Sequence, residues 1–145
     1  MNLRYEPAQE VDIETIYTFC KELIEQYETD PIDLEQVLLW CKRKITASLA
    51  EYRRILRNGD VVGYFHLCPE EKGAVELDDL YIFPEFQNRG IGTRILEKCC
   101  RESDRPVMLY VFSRNTGAWK LYQRMGFEIR ETIKNTRYIM VRENL

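Results

Sequence analysis

The sequence has one histidine, no Cys-x-x-Cys spacing and no long apolar run, and each absence removes a class of protein. With His66 as the only histidine, a histidine-based metal cluster is excluded. The five cysteines are odd in number and include the adjacent Cys99 and Cys100, which favours reduced thiols over a disulfide framework or a zinc site. No apolar run approaches the ~20 residues that cross a bilayer, and the first ten residues, MNLRYEPAQE, contain no apolar core of the kind found in signal peptides. We therefore expect a cytoplasmic protein without a metal and without a membrane anchor.

A basic excess is also missing. The formal net charge is -3 and the sequence pI is about 5.4. Nucleic-acid binding usually appears as a basic excess, and the short basic runs Lys42–Lys44 and Arg53–Arg54 are typical of a solvated surface. The length of 145 residues is enough to bury a core and is most simply one domain, residues 1–145.

Two helices are predicted in the N-terminal third of the chain. Apolar residues recur at the spacing of one helical face over Val11–Tyr27. The second helix is predicted to start at Asp30 and Pro31, because aspartate caps free N–H groups and proline suits the first helical position. Trp40 lies at helical spacing in this second helix, and we expect its ring in the core.

The rest of the chain alternates strands with two further helices. The helices are predicted at Gly90–Arg101 and at Asn115–Met125, where Gly126 suits a left-handed cap. Strands are predicted at Leu3–Tyr5, Tyr52–Arg57, Val61–Leu67, Ala74–Ile82, Val107–Phe112, Glu128–Ile133 and Arg137–Val141. Turns are predicted at Asn58-Gly59 and Pro69–Gly73, and His66 is expected to be a packed or edge histidine. This order predicts an α/β (mixed α+β) fold, in which about four helices flank a mixed, mostly antiparallel, twisted sheet of about six or seven strands.

The segment Gln87–Gly92 is a candidate phosphate site. A P-loop requires a Gly-Lys pair, which the sequence lacks, and a dinucleotide fingerprint requires a third glycine where Ile95 stands. What remains is a Gly-x-Gly turn at a helix start, whose backbone N–H groups can hold a pyrophosphate, with Arg89 adding positive charge. On its own, such a turn is equally typical of an ordinary strand-to-helix connection.

A second motif makes the first one specific. LYIFPEFQNRGIG (Leu80–Gly92) precedes an apolar helix, and NTGAWKLYQRMGF (Asn115–Phe127) follows one helix and one strand later. In this order and spacing, the two segments resemble both sequence motifs of the GNAT family of N-acetyltransferases. The resemblance is specific over Glu76–Phe127 and covers nearly the whole chain in element order. It implies the GNAT fold, in which two neighbouring parallel strands splay apart.

The resemblance also implies a binding site for acetyl-CoA, used as a co-substrate, in the gap between Ala74–Ile82 and Val107–Phe112. The pantetheine arm would bond to the backbone of the first strand, and the pyrophosphate would lie on N–H groups of Asn88–Thr93. Asn115 would hold the arm and Ala118 would let it pass. The expected cofactor-binding residues are Leu80, Tyr81, Ile82, Gln87, Asn88, Arg89, Gly90, Ile91, Gly92, Thr93, Asn115, Ala118 and Tyr122.

The implied reaction is direct acetyl transfer from the thioester to a primary amine of a small molecule or protein. Tyr122 is the expected proton donor to the departing thiolate, and Glu76 is the preferred base, with Asp78, Asp79 or water as alternates. A backbone N–H of Tyr81 or Ile82 would stabilise the oxyanion. The three carboxylates are equally suited to attracting a cationic substrate.

Two other functions stay open at this point. The fold also suits a non-catalytic acyl-CoA-binding or regulatory module, or a transferase of a longer acyl group with a roomier channel around Phe83 and Phe112. Acceptor choice is expected to depend on the N-terminal helix pair and the closing hairpin. Acidic residues near the helix pair would suit a polyamine or an aminoglycoside, and equally a solvated helix end: Glu25, Glu28, Asp30 and Asp33. The edge strand of the closing hairpin would allow a homodimer.

Overall fold

The structure is a computed structural model that describes residues 1–68 and 73–143. Within these residues seven strands form one sheet: β1 (Leu3–Pro7), β2 (Tyr52–Arg57), β3 (Asp60–Cys68), β4 (Val75–Ile82), β5 (Val107–Phe112), β6 (Glu128–Ile133) and β7 (Arg137–Arg142). Four α-helices flank it: α1 (Ile13–Tyr27), α2 (Leu34–Ala47), α3 (Ile91–Glu102) and α4 (Thr116–Arg124). The sheet order is β1-β2-β3-β4-β5-β7-β6. The predicted mixed α/β fold is confirmed.

β4 and β5 are parallel neighbours that separate soon after they begin. Val75 pairs with Val107 and Glu76 with Met108, and no later residue of β4 is paired with β5 in the described part of the chain. The other neighbouring strands pair in antiparallel fashion. The predicted splay is therefore present, and it leaves one edge of the second half of β4 open.

An extra residue in β4 places two consecutive carboxylates on the same side of the sheet. Asp79 stands opposite His66, but the next pair is Leu67 with Leu77, so Asp78 is the additional residue of a β-bulge. Lys44 on α2 contacts the carboxylates of both Asp78 and Asp79. Both side chains therefore face α1 and α2, where simple strand alternation would have separated them.

The sheet divides the core into two parts. The larger cluster lies toward α3 and α4, and Leu80, Ile82 and Tyr122 pack against it. Its fully buried members include Ile55, Val62, Ile95, Leu96, Val107 and Met140. The smaller cluster lies toward α1 and α2 and includes Ile16, Ile45, Tyr52, Tyr64 and Tyr81. Tyr81 thus faces the N-terminal helices, while its neighbours Leu80 and Ile82 face the opposite side.

The second helix differs from its prediction at its start and at Trp40. α2 begins at Leu34 because the side chain of Asp33 accepts a hydrogen bond from the N–H of Gln36 at 3.2 Å and caps the helix. The predicted start at Asp30 and Pro31 is therefore wrong. The expected burial of Trp40 is also wrong, since it is 61% exposed.

The exposure of Trp40 follows from a narrow apolar stripe on α2. The buried residues of that helix are Cys41 and Ile45, so the helix contacts the core along a single line of side chains. Trp40 falls beside this line, and its ring centroid lies 5.9 Å from the Lys44 ammonium.

Among the described residues, no helix is both long enough and apolar enough to span a bilayer.

The predicted turns that lie within the described residues have the expected backbone conformations. Asn58 and Gly59 have φ values of 54° and 85°, as the predicted hairpin requires, and Gly126 has φ 94° after α4. The first predicted helix begins with a short 3₁₀ turn, Glu10–Asp12, before α1. The predicted turn at Pro69–Gly73 lies, except for Gly73, outside the described residues.

Gly63 marks the closest approach of β3 to β4. A Cβ at this position would lie 2.1 Å from the carbonyl oxygen of Tyr81 and 3.1 Å from the Cα of Ile82. We expect Gly63→Ala to lower the free energy of unfolding by about 1–3 kcal/mol or more, because backbone rather than a flexible side chain must move. Urea unfolding measures this change.

Gly117→Ala is the matched control for that substitution. A Cβ on Gly117 in α4 would meet no atom within 4 Å. Alanine is favoured over glycine in helices by up to about 1 kcal/mol, so this variant should be as stable as the parent or more stable. Equal unfolding midpoints for the two variants would contradict the close approach at Gly63.

Candidate active site

The turn between β4 and α3 leaves a helix start open to an anion. Gly90 is the N-cap of α3 with φ 81°, a left-handed conformation that favours glycine, and no side chain caps this end. Arg94 makes the first hydrogen bond of the helix, to the carbonyl of Gly90 at 3.1 Å. The preceding N–H groups, from Ile91 to Thr93, are the orphan donors of the first turn. A Cβ at Gly92 would meet no atom of the described residues within 4 Å, so none of them fills the space beside it.

The three residues before Gly90 have different contacts. Asn88 takes a positive φ of 62°, and Arg89 lies with its guanidinium carbon 5.8 Å from the ring centroid of Phe86. Gln87 does not point into the turn, because its Nε2 donates to the carbonyl of Ile82 at 3.0 Å. The expected phosphate residues are thus gathered at one helix start, with Gln87 serving to hold the end of β4.

The open edge of β4 presents backbone groups of alternate residues. Phe83 donates its N–H to the carbonyl of Val62 at 2.9 Å, and Tyr81 stands opposite Tyr64. Because backbone groups alternate in direction along an antiparallel pair, those of Tyr81 point toward β3. Those of Leu80 and Ile82 point toward the splay. This alternation favours the N–H of Ile82 over that of Tyr81 as an oxyanion donor, and it adds Leu80 as a second candidate.

On the other side of the splay, α4 and its N-cap carry two polar side chains without partners in the described part of the chain. Asn115 is the N-cap of α4, yet its side chain makes no capping hydrogen bond. Tyr122 is partly buried against the main core, with its ring centroid 6.0 Å from that of Phe127. Its hydroxyl makes no hydrogen bond to any described residue, and burial raises the pKa of Tyr122 to about 12. The hydroxyl is therefore protonated at neutral pH and available to donate.

Glu76 is the carboxylate on β4 that lacks a partner. It is partly buried and forms neither an ion pair nor a hydrogen bond within the described chain. Burial raises its pKa, and the negative charge of Asp78 raises it further, against the opposing effect of Lys44. A carboxylate with a raised pKa and no partner has the properties of a general base.

The two alternates to Glu76 are occupied by protein groups. Asp78 Oδ2 accepts from Lys44 Nζ at 2.7 Å and lies 2.9 Å from His66 Nδ1. Burial by itself would raise the pKa of Asp78, but the hydrogen bond from His66 and the charge of Lys44 outweigh it, so the pKa is lowered. Asp79 accepts from the hydroxyls of Tyr52 and Tyr81 and lies 3.2 Å from Lys44 Nζ. Both carboxylates are thereby occupied by donors of the protein.

His66 joins this network to the surface. It is 2% exposed, and its Nε2 lies 2.8 Å from Glu51 Oε1 while its Nδ1 faces Asp78. Burial would lower the pKa of His66, but the hydrogen bonds to Asp78 and Glu51 outweigh it and the pKa is raised. The packed histidine was predicted, but its partners come from distant segments with no spacing signal.

The same histidine brings together groups that can ligate a metal ion. Donor atoms of Glu51, His66 and Cys68, and of His66, Asp78 and Asp79, lie within 4.8 Å of one another. A single histidine thus excludes clusters of histidines, but not mixed donor sets. Here both ring nitrogens already contact carboxylates, and the Lys44 ammonium lies between Asp78 and Asp79.

Aromatic side chains of α1 cover the ends of β4 and β5. Phe19 stacks on Tyr81 and Phe83 with centroid distances of 5.3 and 5.4 Å, and Tyr27 stacks on Phe112 at 6.3 Å. The two phenylalanines expected around a roomier acyl channel are therefore both in contact with α1.

Other N-terminal side chains have local structural roles. The thiols of Cys20 and Cys41 are free and lie 3.1 Å apart between α1 and α2. Glu28 accepts backbone hydrogen bonds from Thr29 and Asp30, and Asp33 caps α2. Glu28 and Asp33 therefore have local hydrogen bonds next to the ends of α1 and α2, as the helix-end interpretation expects.

Comparison with known proteins agrees with this geometry. The sequence profile described as Acetyltransferase (GNAT) family matches residues 11–127. An uncharacterized N-acetyltransferase of Methanocaldococcus jannaschii is 35% identical over 69 residues, 45% of this chain and 30% of the relative. The spermine/spermidine N(1)-acetyltransferase of Bacillus subtilis is 32% identical over 103 residues, 59% of this chain and 64% of the relative. The chain thus spans less than two thirds of the length of these curated relatives.

Solved structures share the whole fold at low sequence identity. The PaiA N-acetyltransferase of Thermoplasma acidophilum, in complex with coenzyme A, has a TM-score of 0.74 at 19% identity and covers 99% of both chains. YncA of Salmonella typhimurium, with acetyl-CoA as its cofactor, has a TM-score of 0.65 at 17% identity, covering 100% of this chain and 95% of that one. These likenesses extend the shared fold beyond residues 11–127 to both ends of the sheet.

Proposed function

Because the chain belongs to the GNAT acetyltransferase family, we propose that it transfers an acetyl group from acetyl-CoA to a primary amine of a small molecule or protein. The observation that carries the proposal is a set of three polar side chains around the splay that have no partner among residues 1–68 and 73–143. Glu76 lies on β4, and Asn115 and Tyr122 lie on α4. Polar side chains without partners at a gap in a sheet are groups prepared for a ligand.

The residues around the gap suit acetyl-CoA as a co-substrate. N–H groups of Ile91, Gly92 and Thr93 would hold the pyrophosphate at the positive end of α3. The backbone carbonyls of Leu80 and Ile82 would accept hydrogen bonds from the amides of the pantetheine arm, as an added strand does. The side chain of Asn115 would hold the arm from the opposite side. The thioester supplies the acetyl group.

Three groups of the chain would then perform the transfer. Glu76 takes the proton from the acceptor ammonium, directly or through water, because only the free amine is a nucleophile. The N–H groups of Leu80 and Ile82 donate to the carbonyl oxygen as it gains negative charge. Tyr122 donates its proton to the sulfur as the C–S bond breaks, and the second proton that the nitrogen loses as the amide forms returns to Tyr122 through water. Asp78 and Asp79 keep the bulge of β4 in place through Lys44 and do not exchange protons.

The acceptor is best approached through the chemistry of the relatives. One relative is named a spermine/spermidine acetyltransferase, so polyamines belong in the first panel of acceptors, together with amino acids, aminoglycosides and peptide amines.

The reduced thiols favour a cytoplasmic enzyme. The exposed edge of β6 is our candidate contact for a homodimer.

Release of free CoA thiol in the presence of acetyl-CoA and each amine tests the proposal. We expect turnover above hydrolysis with at least one acceptor, and mass spectrometry should find one acetyl group added to it. Thermal-shift measurements with CoA, acetyl-CoA and longer acyl-CoA compounds show in parallel which of these compounds the protein binds. Tight CoA binding without transfer to any amine would reject the enzyme in favour of an acyl-CoA-binding module.

A further inference from the structure

Arg137 is a partly buried arginine without a protein partner. It forms no hydrogen bond and no ion pair with any described residue, and its Nε is out of contact with solvent. Arg54 and Arg130, by contrast, each pair with two carboxylates. A buried donor left unpaired costs about 1–3 kcal/mol, so such a group is usually satisfied by water or by a ligand.

Arg137 lies on β7, next to β5, the strand that borders the splay. It begins β7 and stands opposite Phe112, the last residue of β5. The next pair, Val111 and Tyr138, belongs to the core on the α3 and α4 side of the sheet. Because neighbouring residues of a strand face opposite sides, Arg137 and Phe112 face the side covered by α1.

The surroundings of Arg137 on this face are aromatic. Phe112 is stacked with Tyr27 of α1, and Tyr110, two residues before it on the same strand, is 44% exposed. No carboxylate contacts Arg137 within the described residues, so its charge is not neutralised by a partner. A guanidinium in aromatic, partly dry surroundings binds a carboxylate more strongly than one on an open surface.

We propose that Arg137 binds the carboxylate of the acceptor, so that the acceptor is a small zwitterion such as an amino acid. This inference rests on the proposed acetyl transfer. Glu76 stands opposite Met108 and Arg137 opposite Phe112, four residues further along β5. At about 3.3 Å per residue along the strand and about 4.8 Å between strands, with β5 standing between β4 and β7, the two backbones are roughly 16 Å apart. Two side chains reaching inward shorten this span to the size of one small molecule.

The same face is poorly suited to a polycation. The carboxylates of Asp78 and Asp79 already hold the Lys44 ammonium, and His66 occupies both Asp78 and Glu51. Glu76 is then the one β4 carboxylate that remains for an amine. The unneutralised charge of Arg137 repels a second ammonium group.

Matched acceptors test the inference. We compare L-phenylalanine and L-alanine with their carboxamides, and with butylamine and spermidine, at equal concentrations of free amine. The wild-type protein should have the lower KM for each carboxylate. Arg137→Gln should raise that KM about 10- to 100-fold, as expected for a lost hydrogen bond to a charged group. It should change kcat much less and leave the carboxamides unaffected.

Two further variants separate binding from folding. Arg137→Lys should recover part of the affinity, and Arg130→Gln, which removes an exposed arginine of β6, should leave every KM unchanged. Arg137→Gln should unfold at the same temperature as the parent or higher, since it removes an unpaired buried donor. Equal KM values for acids and carboxamides in the wild type, or an equal effect of Arg137→Gln on both, would overturn the proposal.

A binding measurement keeps this inference distinct from the proposed function. Ligand-observed NMR with L-phenylalanine and CoA reports carboxylate binding without turnover. Binding that is lost in Arg137→Gln, with no transfer to any amine, would reject the transferase and keep the carboxylate site. Transfer to amines with no preference for carboxylates would keep the transferase and reject the role of Arg137.

Discussion

Replacing Glu76 by glutamine is expected to lower kcat/KM for acetyl transfer about 100- to 10,000-fold, the usual contribution of a general base. Glutamine has nearly the same shape but cannot accept the proton of the ammonium. The alternates cannot substitute for it, since Asp78 is held by Lys44 and His66, and Asp79 by Lys44 and two tyrosines. Steady-state thiol release with the preferred amine measures the loss.

The pH profile identifies the group that is removed. In the wild type kcat/KM should rise with pH through the pKa of Glu76, which burial and Asp78 place above its ordinary value. Glu76→Gln should abolish this rise, and any further increase at high pH should follow ionisation of the acceptor alone. An unchanged profile, with activity within a few fold of wild type, would show that water or another carboxylate is the base.

The same substitution should leave the protein as stable as before or more stable. The pKa of Glu76 is raised in the folded state, so between its unfolded and folded pKa values the native protein binds more protons. The free energy of unfolding therefore falls as pH rises through that window, and the ionised side chain is a cost at neutral pH. Glutamine removes this cost. Glu128→Gln, at an exposed position of β6, is the control, with no effect on activity or on stability.

Much of the site could be predicted because it depends on local sequence. The Gly-x-Gly turn, Asn115 and Tyr122 lie within the two continuous motifs, and the splayed strands β4 and β5 lead directly into them. Their geometry is set by residues a few positions away. Gly90, for example, needs only its own left-handed conformation to start α3. Features that depend only on nearby residues can be recognised from the order of residue types in the sequence.

The chemistry of the carboxylates could not be predicted in the same way. Choosing Glu76 over Asp78 and Asp79 depends on a β-bulge, which is a matter of strand register, and on a lysine 34 residues away from Asp78. The interpretation of His66 needed its partner Glu51, which lies 15 residues away. Arg137 belongs to neither motif, and it is distinguished only by having no partner among the residues that the structure describes. Contacts between residues distant in sequence determine which polar side chains are paired within the protein and which remain free to bind a substrate.

Replacing Tyr122 by phenylalanine is expected to lower kcat about 100-fold or more, as the loss of a general acid does. Its hydroxyl makes no hydrogen bond to the described protein, so its removal should not change the unfolding midpoint or the affinity for CoA. Burial raises the pKa of Tyr122 to about 12, so the hydroxyl stays protonated across the working range. The loss should therefore be constant with pH, unlike that of Glu76→Gln.

Tyr5→Phe is the matched control for this substitution. Tyr5 also packs partly buried against the main core, where it meets Phe65 edge-on, but it lies on β1 at the opposite edge of the sheet from α4. Its variant should keep full activity. If Tyr122→Phe also keeps full activity, Tyr122 is a core tyrosine and solvent protonates the thiolate.

The double variant decides whether Glu76 and Tyr122 act on one event or on two. Proton removal from the amine and proton donation to the sulfur involve different bonds, so independent roles predict that the two losses multiply. A double loss no larger than the greater single loss would mean that both side chains serve one proton-transfer step. Unchanged CoA affinity in all three variants would place the defect in the chemistry, which a module that merely binds acyl-CoA does not perform.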